Sequence, residues 1–341
     1  MAARRVLPSL ARTSSSRIAA PLTALPRRQL TGLGDQKKWR RYQSNGAAAI
    51  KIHYEEQTTR TTIVPDFSRN TLDTHRFREF DLSGGVYIVT GGARGLGFCL
   101  AEALAEAGGK VHCLDILPNP DHAWSSAQSR VAPFGGSLHY HQVNVTDQPA
   151  LEAIVARIAD DRGRLDGLIA AAGKQLAKDS LDHTIEDAQW LMNINYTGVF
   201  VSATAAARQM LKYKSHGSIC LIASMSGLVA NKGLVCPIYN SSKAAVIQLA
   251  RNLAMEWGRV REDGSGGIRV NCISPGHILT PMVQADFKRQ PDLRELWQKE
   301  NMLGRLSTPE EFKGAAVFLL SRASSFMTGG NLVIDGGHTA W

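Results

Sequence analysis

A tyrosine, a lysine and a serine in this sequence are spaced so that they could transfer a proton. Tyr239 and Lys243 lie four residues apart in a stretch of helical periodicity, which would place them on one helix face, one turn apart. A phenol has a pKa of about 10, and a neighbouring ammonium lowers it. Tyr239 could then take a proton from an alcohol or return it to a carbonyl, while Ser224 would hydrogen-bond the same oxygen. Taken alone, the same spacing in a helix more often means an exposed tyrosine and a solvated lysine.

A glycine-rich turn could hold the pyrophosphate of a dinucleotide. The turn follows a run of buried-strand residues and precedes helical periodicity, and glycine lets the backbone turn tightly and approach a phosphate. A helix that begins there would present free N–H groups and its positive dipole end to the phosphates. The residues of this turn are Gly91, Arg94, Gly95, Leu96 and Gly97.

The acidic residue that ends the next expected strand bears on the choice between the two nicotinamide cofactors. Asp115 lies 20 residues after Gly95, where a carboxylate can hydrogen-bond the ribose hydroxyls of the adenosine. A 2′-phosphate in that position would be repelled by the carboxylate, so Asp115 favours NAD over NADP. Arg94 indicates the opposite preference, because its guanidinium could bind a phosphate.

These residues must be positioned by strands that alternate with helices. From residue 81 onward, short β-branched runs alternate with longer helical segments, which predicts βαβ units. We therefore expect an α/β fold, a single doubly wound, Rossmann-type domain with a seven-stranded parallel sheet flanked by helices, over residues 81–341. The expected strands are 86–90, 110–115, 138–143, 165–171, 217–223, 268–274 and 331–334, and the expected helices are 96–107, 148–161, 184–213, 239–257 and 309–321.

Several motifs together resemble one family. The glycine turn has the spacing TGxxxGxG from Thr90, Asn195 lies in the string NINYTG, and Pro275-Gly276 follows the sixth expected strand. Together with the serine, tyrosine and lysine described above, these motifs resemble the short-chain dehydrogenase/reductase family over the whole predicted domain.

The resemblance implies further roles. Lys243 would also bind the nicotinamide ribose, and Asn195 would hold a water that links Lys243 to solvent as a proton relay. Ile278 would pair its backbone with the nicotinamide carboxamide, and Thr280 would contact the cofactor. The expected catalytic group is Asn195, Ser224, Tyr239 and Lys243, and the expected cofactor-binding residues are Gly91, Arg94, Gly95, Leu96, Gly97, Asp115, Asn144, Val145, Ala172, Gly173, Tyr239, Lys243, Pro275, Gly276, Ile278 and Thr280.

The sequence departs from the family pattern at two places in the cofactor site. Residues 170–173 read Ala-Ala-Ala-Gly where the family has Asn-Asn-Ala-Gly, and we expect Ala172 and Gly173 still to approach the adenosine. Asn144 replaces the aspartate that contacts adenine, and its amide can still form one hydrogen bond there. We therefore expect a lower affinity for the cofactor but retained binding.

A charged segment near the carboxyl end, residues 282–302, carries Trp297 and resembles the mobile substrate lid of the family. Such a lid would exclude water during hydride transfer. A solvated helix would have the same composition, and both interpretations can hold.

The net charge of +9 is confined to the beginning of the chain. Of 39 lysines and arginines and 30 acidic residues, residues 1–50 hold ten basic residues and one acidic residue, so residues 51–341 hold 29 of each. The main part of the chain therefore has no basic patch with which to bind nucleic acid. Six arginines, three consecutive serines and no acid in residues 1–34 are typical of a mitochondrial transit peptide, and residues 40–44 resemble a matrix-processing site.

We therefore predict a disordered mitochondrial transit peptide over residues 1–45, an N-terminal extension over residues 46–80, and location in the mitochondrial matrix. A disordered basic tail on a cytoplasmic protein is the alternative.

Other residue patterns exclude several kinds of protein. The chain has no run of about 18 apolar residues, which excludes an integral membrane protein. Its ten histidines and five cysteines show no metal-ligand spacing, so no metal is expected. The cysteines are far apart and mostly lie in apolar runs, which is typical of buried thiols in a reducing compartment. A reactive thiol at Cys236 is the alternative.

The combined prediction is an NAD-dependent oxidoreductase that interconverts a secondary alcohol and a ketone. The strings at residues 170–175 and 73–82 resemble fungal polyol dehydrogenases of the D-arabinitol 2-dehydrogenase or sorbose reductase type, which implies a polyol and its ketose as substrates. The alternatives are a mitochondrial 3-oxoacyl-thioester reductase that uses NADPH, a non-catalytic NAD(H)-binding sensor and a purely structural assembly. The last strand and two long helices resemble family interfaces, which implies a homotetramer.

Overall fold

Seven strands pair in parallel into one sheet in the computed structural model, which describes residues 77–341. Their order across the sheet is β3-β2-β1-β4-β5-β6-β7. Short apolar runs form these strands because helices cover both faces of a parallel sheet. The predicted doubly wound α/β fold is therefore confirmed. The strands are β1 (Val86–Thr90), β2 (Lys110–Asp115), β3 (Ser137–Gln142), β4 (Gly167–Ala170), β5 (Ser218–Ile222), β6 (Arg269–Pro275) and β7 (Asn331–Ile334).

Helices pack on both faces of this sheet. They are α1 (Gly95–Glu106), α2 (Trp124–Val131), α3 (Gln148–Arg162), α4 (Ile185–Met192), α5 (Gly198–Tyr213), α6 (Pro237–Trp257), α7 (Pro281–Arg289), α8 (Leu293–Glu300) and α9 (Lys313–Leu320). Successive side chains of a strand point to opposite faces. Accordingly, Val86 and Ile88 of β1 belong to the apolar cluster under α3, α5 and α6, whereas Tyr87 and Val89 belong to the cluster under α1, α2 and α9.

The order of the sheet reverses beside β1. The chain runs from β1 outward through β2 to β3, and it then returns to form β4 on the other side of β1. Thr90 at the end of β1 pairs with Ala170 at the end of β4. The loops after these two strands therefore begin side by side and diverge, which opens a crevice at the carboxyl edge of the sheet where ligands bind in this class of fold.

Several helices differ from the prediction. The helix expected over 184–213 is interrupted between α4 and α5 by a π-helix (Asn193–Thr197), in which the Gly198 N–H donates to the Asn193 carbonyl. The helix expected over 309–321 begins as a 3-10 helix (Pro309–Phe312). Helix α2 has no predicted counterpart, and the lid segment forms two helices, α7 and α8, because Pro291 separates them. The strand boundaries differ from the prediction by no more than two residues.

Part of the predicted organisation lies outside the described residues. This applies to the transit peptide, residues 1–45, and to residues 46–76 of the extension. The end of that extension contains a short 3-10 helix (Arg78–Phe80). Within residues 77–341, no helix combines the length and the apolar character needed to cross a membrane.

Candidate active site

A cavity of about 610 Å³ opens at the carboxyl edge of the sheet. Loops after β1 to β6 contribute to its walls, together with α6, α7 and α8. The carboxyl ends of parallel strands meet at one edge, so residues far apart in sequence face each other there. Asn195, alone among the expected site residues, is not part of the wall. The expected residues that line the cavity are Gly91, Arg94, Gly95, Leu96, Gly97, Asp115, Asn144, Val145, Ala172, Gly173, Ser224, Tyr239, Lys243, Pro275, Gly276, Ile278 and Thr280.

The glycine-rich turn presents bare backbone to the cavity. Gly91 has φ of +69°, a conformation that favours glycine, and a Cβ there would lie 2.7 Å from the Ala172 nitrogen. A Cβ on Gly97 would lie 2.2 Å from the Gly91 carbonyl oxygen. Helix α1 begins at Gly95, so its free N–H groups lie at the cavity. A glycine-rich turn at the start of a helix fits the pyrophosphate of a dinucleotide.

Asp115 lies at the carboxyl end of β2, on the cavity wall. Its Oδ2 accepts a hydrogen bond from the Ala93 N–H (3.1 Å), and its Oδ1 accepts one from the Leu117 N–H (3.1 Å). The backbone thereby fixes the carboxylate, and each oxygen keeps a further lone pair. Asp115 can therefore accept hydrogen bonds from two ribose hydroxyls without moving.

Ser224, Tyr239 and Lys243 meet at one end of the cavity. Tyr239 and Lys243 lie one turn apart on α6, and the Lys243 Nζ is 5.7 Å from the centre of the Tyr239 ring. This Nζ donates a hydrogen bond to the Ile222 carbonyl (2.9 Å) at the end of β5. Ser224 follows that strand and hydrogen-bonds the Tyr239 side chain. The three groups that the sequence singles out are therefore adjacent in space.

The electrostatics of this group differ from the prediction. Burial raises the pKa of Tyr239 to about 12, against the lowering effect of its hydrogen bond with Ser224, and Cys236 and Asp286 raise it further. Burial also lowers the pKa of Lys243 to about 8. The expectation that the lysine brings the tyrosine pKa below its usual range is therefore wrong for this arrangement. The physical reason is that removal from water disfavours the charged form of both side chains.

Asn195 lies in the π-helix behind the cavity and is fully buried. Its Nδ2 donates to the Lys174 carbonyl and to the Ser242 hydroxyl, and its Oδ1 accepts from the Lys174 N–H. A Cβ at Gly173 would lie 3.4 Å from the Asn195 Oδ1 and 3.5 Å from the Lys243 Nζ, so the asparagine is close to the lysine. Its role in holding a water stays a prediction.

The lid segment provides cavity residues that the sequence does not single out. Asp286 of α7 and Trp297 of α8 line the cavity, with only 3% and 2% of their surfaces exposed. Trp297 stacks on His277 with ring centres 3.9 Å apart. These helices are therefore more than solvated surface, and the mobility of the lid stays a prediction. The helical spacing of Val283, Asp286 and Phe287 could have indicated that the aspartate shares an apolar face.

The surroundings of Cys236 do not favour thiol chemistry. The Cys236 thiol donates to the Asn240 Oδ1 (3.1 Å), and burial raises its pKa to about 11, which argues against a reactive thiolate. Within residues 77–341, no group of three or more histidine, cysteine, aspartate or glutamate side chains is placed to hold a metal ion.

A comparison with protein families shows which family the residues of this cavity belong to. A family model of short-chain alcohol dehydrogenases, described as enoyl-(acyl carrier protein) reductase, matches residues 91–339, which include both the glycine turn and the Tyr239/Lys243 pair. The chain belongs to the short-chain dehydrogenase/reductase family. It is therefore an oxidoreductase that acts on alcohol groups with a nicotinamide cofactor.

Individual relatives agree with this assignment. A short-chain dehydrogenase/reductase of Aspergillus versicolor is 41% identical over 265 residues, covering 77% of this chain and 89% of that protein. The ribulose-forming D-arabinitol 2-dehydrogenase of Scheffersomyces stipitis is 34% identical over 276 residues, covering 77% and 96%. The solved structure of NADPH-dependent 3-quinuclidinone reductase from Rhodotorula rubra has a TM-score of 0.70 at 33% identity, covering 80% and 98%. The predicted resemblance to this family and its fungal polyol dehydrogenases is confirmed.

Replacing Lys243 by methionine should remove a pH dependence of stability. The unfolded chain keeps this lysine charged up to a pH of about 10.5, whereas burial lowers its pKa in the folded protein to about 8. Between these values only the unfolded chain holds the proton, so this group makes the free energy of unfolding rise with pH, by about 3 kcal/mol. Below pH 8 the buried charge of Lys243 lowers the free energy of unfolding by this full amount.

Urea unfolding of wild type and Lys243→Met at pH 7 to 10.5 measures this effect. The free energy of unfolding should rise with pH more steeply in the wild type than in Lys243→Met. Lys299→Met, which replaces an exposed lysine, is the matched control and should show the same pH dependence as the wild type. Parallel curves for wild type and Lys243→Met would contradict the prediction.

Proposed function

We propose that this protein is an NAD-dependent dehydrogenase that interconverts a polyol and its ketose. The observation that carries the proposal is a single cavity with two ends. Ser224 and Tyr239 lie at one end, and Asp115, set for ribose hydroxyls, lies in the wall contributed by β2. The likeness to D-arabinitol 2-dehydrogenase supports a polyol as the substrate.

The proton transfer follows from the groups at the reacting end. A bound nicotinamide cofactor supplies the hydride chemistry. Ser224 hydrogen-bonds the reacting oxygen. During reduction the Tyr239 phenol gives this oxygen a proton and becomes a phenolate, and during oxidation the Tyr239 phenolate takes the proton of the alcohol. Because burial raises the pKa of Tyr239 to about 12, the phenol is protonated at neutral pH and is a proton donor there. The Lys243 ammonium, 5.7 Å from the ring centre, stabilises the phenolate that this transfer leaves.

Asp115 supports NAD as the preferred cofactor. Its carboxylate would lie against the 2′-phosphate of NADP and repel it. Two observations favour NADP: Arg94 lines the same cavity, and the 3-quinuclidinone reductase is NADPH-dependent. We give Asp115 more weight, because its carboxylate is held on two sides by backbone N–H groups whereas the Arg94 side chain is exposed.

The second candidate is a 3-oxoacyl-thioester reductase that uses NADPH. The description of the matching family model, enoyl-(acyl carrier protein) reductase, favours it. Asp115 argues against this candidate, because its carboxylate lines the cavity and would repel the 2′-phosphate of NADPH.

We further propose that residues 1–45 direct the protein to the mitochondrial matrix and that it forms a homotetramer there. The arginine-rich, acid-poor composition of this segment supports the first proposal. Exposed apolar side chains on the helices expected to form interfaces support the second, among them Trp190, Phe200 and Met255. A fluorescent reporter fused to residues 1–50 should collect in mitochondria, and a diffuse cytosolic signal would contradict this.

A substrate screen tests the main proposal. NAD⁺ reduction should be observed with five- and six-carbon polyols and should exceed NADP⁺ reduction. Hydroxyacyl thioesters, offered with either nucleotide, form the competing set. Strong NADPH-dependent turnover of the oxoacyl thioesters without turnover of polyols would overturn the proposal in favour of the second candidate.

Asp115→Asn should shift the cofactor preference toward NADP⁺. The amide keeps the size of the side chain but removes the charge that would repel the 2′-phosphate. We expect the ratio of kcat/KM for NAD⁺ to that for NADP⁺ to fall by at least about tenfold, which corresponds to about 1.4 kcal/mol. Asp121→Asn, a nearby carboxylate that does not line the cavity, should leave this ratio unchanged. An unchanged ratio in Asp115→Asn would show that another group sets the preference.

A further inference from the structure

We propose that Asp286 is a specificity-determining residue whose carboxylate binds a hydroxyl of the substrate other than the one that reacts. This inference rests on the proposed function, since it names the feature of the cavity that selects a neutral polyhydroxy chain. Asp286 lies on α7, in the lid segment, and lines the cavity that Tyr239 and Ser224 also line.

The two oxygens of this carboxylate have different surroundings. Oδ1 accepts a hydrogen bond from the Arg289 guanidinium one turn later (2.5 Å). Oδ2 is buried and has no hydrogen-bond partner within residues 77–341. A buried carboxylate oxygen without a donor is costly. A donor on a molecule in the cavity would satisfy it.

Asp286 acts on the same part of the cavity as the reacting groups. Burial is the main cause that raises the pKa of Tyr239 and of Cys236, and the negative charge of Asp286 raises both pKa values further. Tyr239 also packs in one apolar cluster with Val283 and Phe287, which lie on either side of Asp286 along α7, and both Asp286 and Tyr239 line the cavity. One small molecule in this part of the cavity could therefore contact both. A substrate whose reacting oxygen lies at Tyr239 could place a second hydroxyl at Asp286.

A second acceptor lies on the opposite loop. The Asn231 Nδ2 donates to the Ser226 hydroxyl (2.8 Å), which in turn accepts from the Ser224 hydroxyl (3.0 Å). The Asn231 Oδ1 is buried, and within the described chain it also lacks a donor. Asn231 is thus linked to the reacting end and presents a free acceptor at the cavity wall.

The chemistry of these acceptors selects among substrate classes. Two acceptor oxygens, one of them on a carboxylate, require donors, and a chain of hydroxyl groups provides one donor at each carbon. The acyl chain of a thioester would leave both oxygens without a partner, whereas the hydroxyl groups of a polyol or ketose would satisfy them. A neutral polyol or ketose fits best.

Asp286→Asn tests this assignment, because the amide replaces the free acceptor and its charge without changing the size of the side chain. We compare kcat/KM for a five-carbon polyol with that for 2-pentanol, which has the same carbon chain but a single hydroxyl. Both alcohols use Tyr239, so the ratio between them cancels any change in the tyrosine. The ratio should fall by about ten- to a hundredfold, mainly through KM for the polyol. Asp292→Asn, an exposed carboxylate of the same segment, should leave it unchanged.

Binding provides a readout that does not depend on turnover. On protein loaded with the reduced cofactor, calorimetry should show that Asp286→Asn raises the dissociation constant of the polyol by a similar factor, while that of the cofactor stays the same. Equal losses for polyol and cofactor, or no loss for either, would overturn the assignment of Asp286. A wild-type enzyme that neither binds nor oxidises any polyol would instead overturn the proposed function, and the assignment with it.

Discussion

The burial of a lysine ammonium beside a tyrosine phenol is the interaction on which the rest of this site depends. Lys243 is 5% exposed, and its Nζ donates to the Ile222 carbonyl. Removing a charged group from water costs several kcal/mol, so the surrounding fold must hold it in place. Helix α6 does this because it packs against β6 through apolar residues such as Val246 and Ala250. The same burial raises the pKa of Tyr239, so the phenol keeps its proton at neutral pH until a substrate oxygen lies beside it.

The topology of the sheet decides what lies next to this pair. The reversal of strand order beside β1 places the glycine turn against the loop after β4, and Gly91 packs on the Ala172 backbone. That loop continues to Gly173, which lies close to both Asn195 and Lys243. A dinucleotide along the turn is therefore directed toward the lysine and the tyrosine. The two functions proposed for the cavity, cofactor binding and proton transfer, are joined by a few residues of backbone.

Local patterns in the sequence were sufficient for the fold and for most of the cavity. The strand ends and the glycine turn follow from residue type and spacing, and Asp115 lies where its distance from Gly95 predicts. The π-helix around Asn195 could not be predicted, because it depends on the Lys174 backbone and on α6. The shifts of the Tyr239 and Lys243 pKa values and the burial of Asp286 also depend on contacts between distant segments, so a helix face alone gives the wrong sign for the tyrosine.

The most direct test of the account is the turnover of Tyr239→Phe measured together with its affinity for the cofactor. The substitution removes only the hydroxyl oxygen, and the glycine turn and Asp115 belong to other parts of the cavity wall. If this phenol transfers the proton, kcat for alcohol oxidation should fall by at least about a hundredfold, while the dissociation constant of the nucleotide stays near the wild-type value. Turnover close to that of the wild type would contradict the account.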